Sequence, residues 1–188
     1  CTRQEFTFIF EQTTLSIDYR LSGRQQGNQL AYLRFTNAAA GIWTIHVYPQ
    51  SIVMGNYNMW LPMRQFTSGN VFFLRSNPEH TITVPGNAAQ VISVGGYQIT
   101  NGSLYLDSGR GYTLSGEVKP ELCAPAVRIF GPGLHNTYVT RTGTSAAAAI
   151  TAGACAQIMQ WGFVKKNQIF MSSADIKNML IRGAKRAD

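Results

Sequence analysis

Ser145 is the residue whose surroundings best suit covalent chemistry. It stands near the start of Gly143-Thr144-Ser145-Ala146-Ala147-Ala148-Ala149-Ile150-Thr151-Ala152-Gly153-Ala154, where four successive alanines combine high helix propensity with almost no bulk. The stretch predicts a buried central helix running to about Trp161, with neighbouring strands packed close against it. Ser145 then lies at the helix N-terminus. Unpaired backbone N–H groups and the positive end of the macrodipole stabilise an alkoxide there, or the oxyanion of a tetrahedral acyl intermediate. The same position has a plain structural use, because a serine hydroxyl can cap the helix. The helix alone does not choose between nucleophile and cap.

Three upstream segments accompany Gly-Thr-Ser-x-Ala and the Gly153 that follows Ser145 eight residues on. They are Thr83 to Tyr97, ending in Val94-Gly95-Gly96-Tyr97; the turn Ser108-Gly109-Arg110-Gly111; and Lys119-Pro120-Glu121-Leu122-Cys123-Ala124-Pro125-Ala126. In this order the four segments resemble the subtilisin-like serine proteases, the subtilases. They match the buried strand ending in Val-Gly-Ala, the Ser-Ser-Arg-Gly turn, the Lys-Pro-Asp-x-x-Ala-Pro-Gly segment and the nucleophile motif of that family. The sequence departs from the pattern at Ala149, where the family has Pro, at Ile150 and Thr151 for His and Val, and at Ala126 for Gly. Alanine for a first-turn proline keeps the helix start, since no hydrogen bond is lost there. Ala126 bears on the turn, because a Cβ is costly wherever φ is positive.

The resemblance implies an acyl-enzyme mechanism with Ser145 as nucleophile and its backbone N–H in the oxyanion hole. A serine nucleophile needs a base and a carboxylate to orient that base. In the family these come from an Asp-containing strand and a His-Gly-Thr helix upstream, and neither motif occurs here. The oxyanion-hole Asn also lies upstream. The three histidines are His46, in an alternating strand pattern, His80, in a polar loop, and His135, in the Gly-rich loop before the serine. Each reads as an ordinary structural histidine, since a substitute base must reach Ser145 by a hydrogen bond.

Composition is that of a globular protein, with 45% hydrophobic and 13% charged residues over 188 positions. This excludes a disordered chain. The net charge of +7 gathers late, at Lys165, Lys166, Lys177, Arg182, Lys185 and Arg186. No nucleic-acid motif or basic–aromatic interleaving accompanies it, so no nucleic-acid partner is expected. The small apolar run from Ala146 to Met159 reads as too short for a bilayer span. The chain runs from Cys1 into a strand pattern without a leader pattern. Cys1, Cys123 and Cys155 lack zinc spacing, and Cys123 and Cys155 read as small buried hydrophobes.

Periodicity divides the chain. From Phe6 to Trp60 apolar residues alternate: Phe6, Phe8 and Phe10; Leu15, Ile17 and Tyr19; Leu30, Tyr32 and Leu33-Phe35; Trp43, Ile45 and Val47. Separated by Ser22-Gly23, Gly27-Asn28 and Ala40-Gly41, these predict antiparallel strands of a sandwich or jelly-roll, with the three phenylalanines on one face. A return connection follows with a short strand at Val71-Phe72-Phe73-Leu74, and then strands alternate with helices. Ser172 with Asp175 predicts a capped helix that buries Ile176, Met179 and Leu180 and closes at Gly183. Pro85-Gly86 and Pro132-Gly133 signal turns.

The expected fold is therefore α/β: part of an inserted β-sandwich over residues 1–63, a connection over 64–80, and the C-terminal part of a subtilisin-like domain over 81–188. A β-sandwich ahead of the serine half resembles the clostridial subtilases that include spore-germination proteases, and Arg141-Thr142-Gly143-Thr144-Ser145 and Leu180-Ile181-Arg182-Gly183-Ala184 add to that match. By that resemblance the compartment would be the spore or the exterior; the sequence itself carries no address. The expected partners are a protein or peptide substrate and the remainder of the same protease chain. No cofactor is required. Subtilisin-like folds often bind calcium, but no Asp-rich loop here announces a site. The rival from another class is a pseudoprotease acting as a binding or signalling scaffold. A third reading, a free-standing β-sandwich recognition module, would need an exposed aromatic patch around Trp43, Tyr57 and Trp60.

Overall fold

The computed structural model describes all residues except 1, 10, 11, 22–28, 52–54, 63–65, 68–70, 114, 187 and 188. Cys1, Phe10 and the predicted turns at Ser22-Gly23 and Gly27-Asn28 fall outside that set. The chain divides into two units, Cys1–Trp60 and Leu61–Asp188.

The first unit is a meander of β1 (Thr2–Phe8), β2 (Thr13–Leu21) and β3 (Gln29–Thr36), all antiparallel. Register sorts most of its side chains by polarity. Phe6 lies opposite Leu15, Leu15 opposite Phe35, and Ile17 opposite Leu33, so these share one face with Phe8. Glu5, Ser16, Asp18, Arg20 and Arg34 take the other, and so do Leu30 and Tyr32, whose alternation places them on the opposite face from Leu33 and Phe35, with Arg20 lying over the Tyr32 ring. Trp43 meets both Phe8 and Phe35 edge-on at 5.3 Å and donates its indole N–H to the Ala39 carbonyl at 3.1 Å. The buried Thr13 hydroxyl fixes the chain after β3, donating to the Asn37 carbonyl and accepting from Ala39 N–H. Residues 41–50 form no strand, contrary to the alternation of Trp43, Ile45 and Val47. Trp43 packs onto the sheet as a plug rather than pairing alongside it. No second sheet faces β1–β3 among the described residues of this unit, so the apolar face is only partly covered and Phe6 remains 48% exposed.

The second unit carries no strand at Val71 to Leu74 either. Its frame is a parallel pair, β4 (Val94–Tyr97) and β7 (Leu122–Pro125). Between them in sequence come β5 (Gly111–Tyr112) and β6 (Val118–Lys119), which pair with each other. The hairpin β8 (Ile129–Pro132) and β9 (Tyr138–Arg141) leads into α1 (Thr144–Met159). A π-helical turn, Gln160–Val164, extends α1 before α2 (Ser173–Gly183). The capping box forms as expected: Ser172 Oγ accepts from Asp175 N–H, the Asp175 carboxylate accepts from Ser172 N–H at 2.8 Å, and Ile176 is buried.

Packing is closest where side chains are smallest. Ala124, Ala126 and Ala147 form a buried cluster flanked by Val94 and Tyr105, and this is where α1 meets the parallel pair. Gly96 has no room for a side chain, because a Cβ there would stand 2.5 Å from the Ala126 methyl. Gly96→Ala is therefore expected to destabilise the protein by about 1–3 kcal/mol through overpacking, read as a lowered urea midpoint; an unchanged midpoint would show that the β4 to Ala126 contact is not maintained in solution.

Two expectations about α1 need correction. Only Ala147 and Thr151 of the helix are buried, whereas Ala148, Ala149, Ile150, Ala152 and Gly153 are exposed, because β4, β7 and α2 cover one side alone. The helix also continues through the π-helical turn, 21 residues from Thr144 to Val164, with a mean hydropathy of 1.2 over its most apolar 18-residue window. The apolar helix is thus longer than the run read from Ala146 to Met159, and by length and composition alone it could cross a membrane, a test that the core helix of a soluble protein passes as well. Cys123 is exposed as well, not buried as a small hydrophobe, since it points from β7 away from the alanine cluster; partial shielding of its sulfur from water beside Gly95 raises its thiol pKa.

Candidate functional site

Ser145 is the second residue of α1, and Gly143, not Ser145, is the N-cap. Gly143 has φ 146°, open to glycine and rarely adopted by other residues, and the cap has no side-chain hydrogen bond. The Ser145 hydroxyl is thus not used in capping. It stands exposed at the mouth of the helix, where the first turn leaves backbone donors without helical partners. Ala146 N–H already reaches the Gly143 carbonyl at 3.0 Å, fixing the turn around Ser145.

Two bonds set this turn against the sheet. Gly143 N–H donates to the Ala126 carbonyl at 2.8 Å, and Arg128 N–H donates to Thr142 Oγ1 at 3.0 Å. Ala126 itself is fully buried and absent from the positive-φ residues; the left-handed position is Arg128, at φ 55°. The methyl of Ala126 fills space against Gly96, and its carbonyl holds the helix start. Nothing in the sequence singles out Arg128, since arginine has no preference for that conformation.

A charged cluster steadies the same strand from its other end. Lys119 is 2% exposed, and its ammonium ion pairs with Glu121 and donates to the Val91 carbonyl at 2.9 Å. Lys177 of α2 ion pairs with the same carboxylate and reaches the Ala89 carbonyl at 3.0 Å. The other Glu121 oxygen accepts from Ser93 N–H at 2.8 Å. Burial alone would raise the Glu121 pKa, but the two lysines and the Ser93 amide more than offset it and hold the carboxyl below its ordinary value. Lys119 and Glu121 were visible in the sequence only as motif letters. Two opposite charges two residues apart, on the way into an apolar strand, were the signal of a buried pair.

None of the three histidines has a described contact with Ser145. His46 belongs to the first unit and stacks on Tyr48 at 6.1 Å. His80 bonds the Tyr112 carbonyl through Nδ1 at 2.8 Å. His135 lies exposed in the β8–β9 turn at φ 54°. Among the described residues no group of three or more His, Cys, Asp or Glu is placed to hold a metal ion.

The subtilase (Peptidase S8) family model matches residues 51–188. The chain belongs to the subtilase family. Serine protease AprX of Bacillus subtilis strain 168 is 34% identical over 106 residues, covering 45% of this chain and 24% of AprX. The structure of the Clostridium perfringens CspB protease superimposes with a TM-score of 0.72 at 23% identity, covering all of this chain and 40% of CspB. This subtilase chain therefore spans less than half the length of either protein. The shared α/β architecture includes the first unit, although the inserted jelly-roll is not evident from the single sheet β1–β3.

Proposed function

We propose that this chain is the nucleophile-bearing part of a subtilisin-type serine endopeptidase, which hydrolyses peptide bonds through an acyl-enzyme on Ser145. The observation that carries the reading is the exposed Ser145 hydroxyl on the first turn of α1, left out of capping by Gly143. In the complete protease Ser145 Oγ attacks the scissile carbonyl while its proton passes to a histidine. The Ser145 N–H donates to the oxyanion, and an aspartate orients the histidine. The base, its carboxylate and the oxyanion-hole Asn belong to the remainder of the protease, because this sequence holds neither motif.

Two features support a missing remainder. The bare side of α1 carries Ala148, Ala149, Ala152 and Gly153, small residues suited to close backbone approach, beside an exposed Ile150, and a parallel pair such as β4–β7 is found in sheets covered on both faces. On the same reading residues 1–63 are part of the inserted β-domain and residues 81–188 the C-terminal part of the catalytic domain. No cofactor enters the chemistry.

A fluorophosphonate probe tests the assignment. The intact parent is expected to label at Ser145, whereas the 188-residue chain alone stays unlabelled, because the nucleophile lacks its base. Labelling of the isolated chain would mean a local base and overturn the assignment of His and Asp to the remainder. Failure of the intact parent to label would favour a scaffold role.

A further inference from the structure

Phe130 and Tyr138 stack across the β8–β9 hairpin with ring centroids 5.1 Å apart and planes 9° from parallel, yet stand 70% and 67% exposed. Register explains the contact. Phe130 lies opposite Thr140 and Tyr138 opposite Pro132, so the two rings are diagonal neighbours on one face. Exposed aromatics held in a defined stack form an apolar projection whose rings are ordered before anything binds. A side chain landing on it gains area without the entropic cost of arranging the rings.

The position of this surface ties it to the nucleophile. Only Thr142, Gly143 and Thr144 separate the end of β9 at Arg141 from Ser145, and Tyr138 lies seven residues from Ser145, a span of at most about 25 Å. The hairpin cannot drift from the helix start, since the Arg128–Thr142 and Gly143–Ala126 bonds join their bases. An extended peptide advances about 3.3 Å per residue, so a chain lying across Ser145 brings residues a few places from the scissile bond within reach of the hairpin.

Charge narrows the partner. No acidic residue occurs between Glu121 and Asp175, whereas Arg128 and Arg141 flank the hairpin and are exposed. The N-terminus of α1 adds its positive end. Resting on the assignment of Ser145 as nucleophile, we infer that Phe130 and Tyr138 form a specificity surface for the substrate peptide: it takes an aromatic or large aliphatic side chain flanking the scissile bond, with an acidic neighbour drawn to Arg128 and Arg141.

The test uses the intact parent and internally quenched peptides that differ by Phe or Gly at successive positions on both sides of the cleaved bond. One position is expected to favour Phe. The double variant Phe130→Ala/Tyr138→Ala should reduce the Phe-to-Gly ratio of kcat/KM there by about five- to tenfold. Arg141→Gln should reduce the gain from a neighbouring Glu and weaken its dependence on salt. Fluorophosphonate labelling of each variant reports that the nucleophile and fold persist. An unchanged ratio in a variant that still labels, or no Phe preference at any position in the parent, overturns the inference and leaves the Ser145 assignment standing. A parent that does not label overturns both.

Discussion

Ser145→Ala in the intact parent is expected to lower kcat/KM for peptide hydrolysis by about 10⁴- to 10⁶-fold, because triad members act as a unit and loss of the nucleophile forfeits the covalent route. The residual rate comes from binding and the oxyanion donors, which the substitution leaves in place. Stability separates this result from a structural one. Ser145 is exposed, the cap is Gly143, and alanine is an excellent helix former, so the urea midpoint should barely move. A stable variant without activity identifies the hydroxyl as the reacting group. A variant that retains more than about a tenth of the parent rate excludes Ser145 as the nucleophile.

Glu121→Leu is expected to carry the largest cost in stability, about 3–5 kcal/mol in urea denaturation of the parent. The carboxylate is shared by two ammonium groups and by Ser93 N–H, and Lys119 is almost wholly removed from water. Removing the anion leaves Lys119 buried beside the Val91 carbonyl with no counter-charge. Lys177→Met should cost less, since Lys177 is more exposed than Lys119 and its loss leaves the Lys119–Glu121 pair intact. The pH dependence has a definite sign. The folded pKa of Glu121 lies below its ordinary value of 4.5, so the folded state favours the charged form. Its contribution is fully present above that ordinary value and is lost as pH falls through the folded pKa. The parent should therefore lose stability in that acid window, and Glu121→Leu should lack this component. A cost below about 1 kcal/mol would show that the cluster is solvated in solution.

The sequence was informative wherever a local rule decides the structure. Ser172 and Asp175 formed the capping box because both partners lie within one helical turn, and the polarity of β1–β3 followed the two-residue alternation of Phe6, Phe8, Leu15 and Ile17. The serine and its helix were likewise legible, because glycine, serine and alanine occupy fixed places around a helix start. What failed depended on neighbours. Trp43, Ile45 and Val47 alternate like a strand but join no ladder among the described residues, and Val71 to Leu74 are apolar without a described pairing. Cys123 sits in an apolar segment yet faces outward, since in a two-stranded parallel pair only one side meets α1. The burial expected of α1 failed for the same reason: low bulk and high propensity describe a helix fit to be enclosed, and enclosure requires elements on every side. The hairpin stack and the Lys119–Glu121–Lys177 cluster depend on register and on contacts between distant segments, which spacing alone does not reveal.

The outward surface of α1 can also be considered as a mould. Apart from the exposed Ile150, the positions Ala148, Ala149, Ala152 and Gly153 offer a partner almost nothing to grip, and a Cβ at Gly153 would meet no atom within 4 Å. A surface of this kind selects by contour, not by stickiness, since methyl-sized projections admit a backbone at a distance that longer side chains forbid. The permitted residues at these four positions therefore record the profile of whatever lies against them. Enlargement at these positions is therefore silent while the face is bare and disruptive wherever a backbone packs against it.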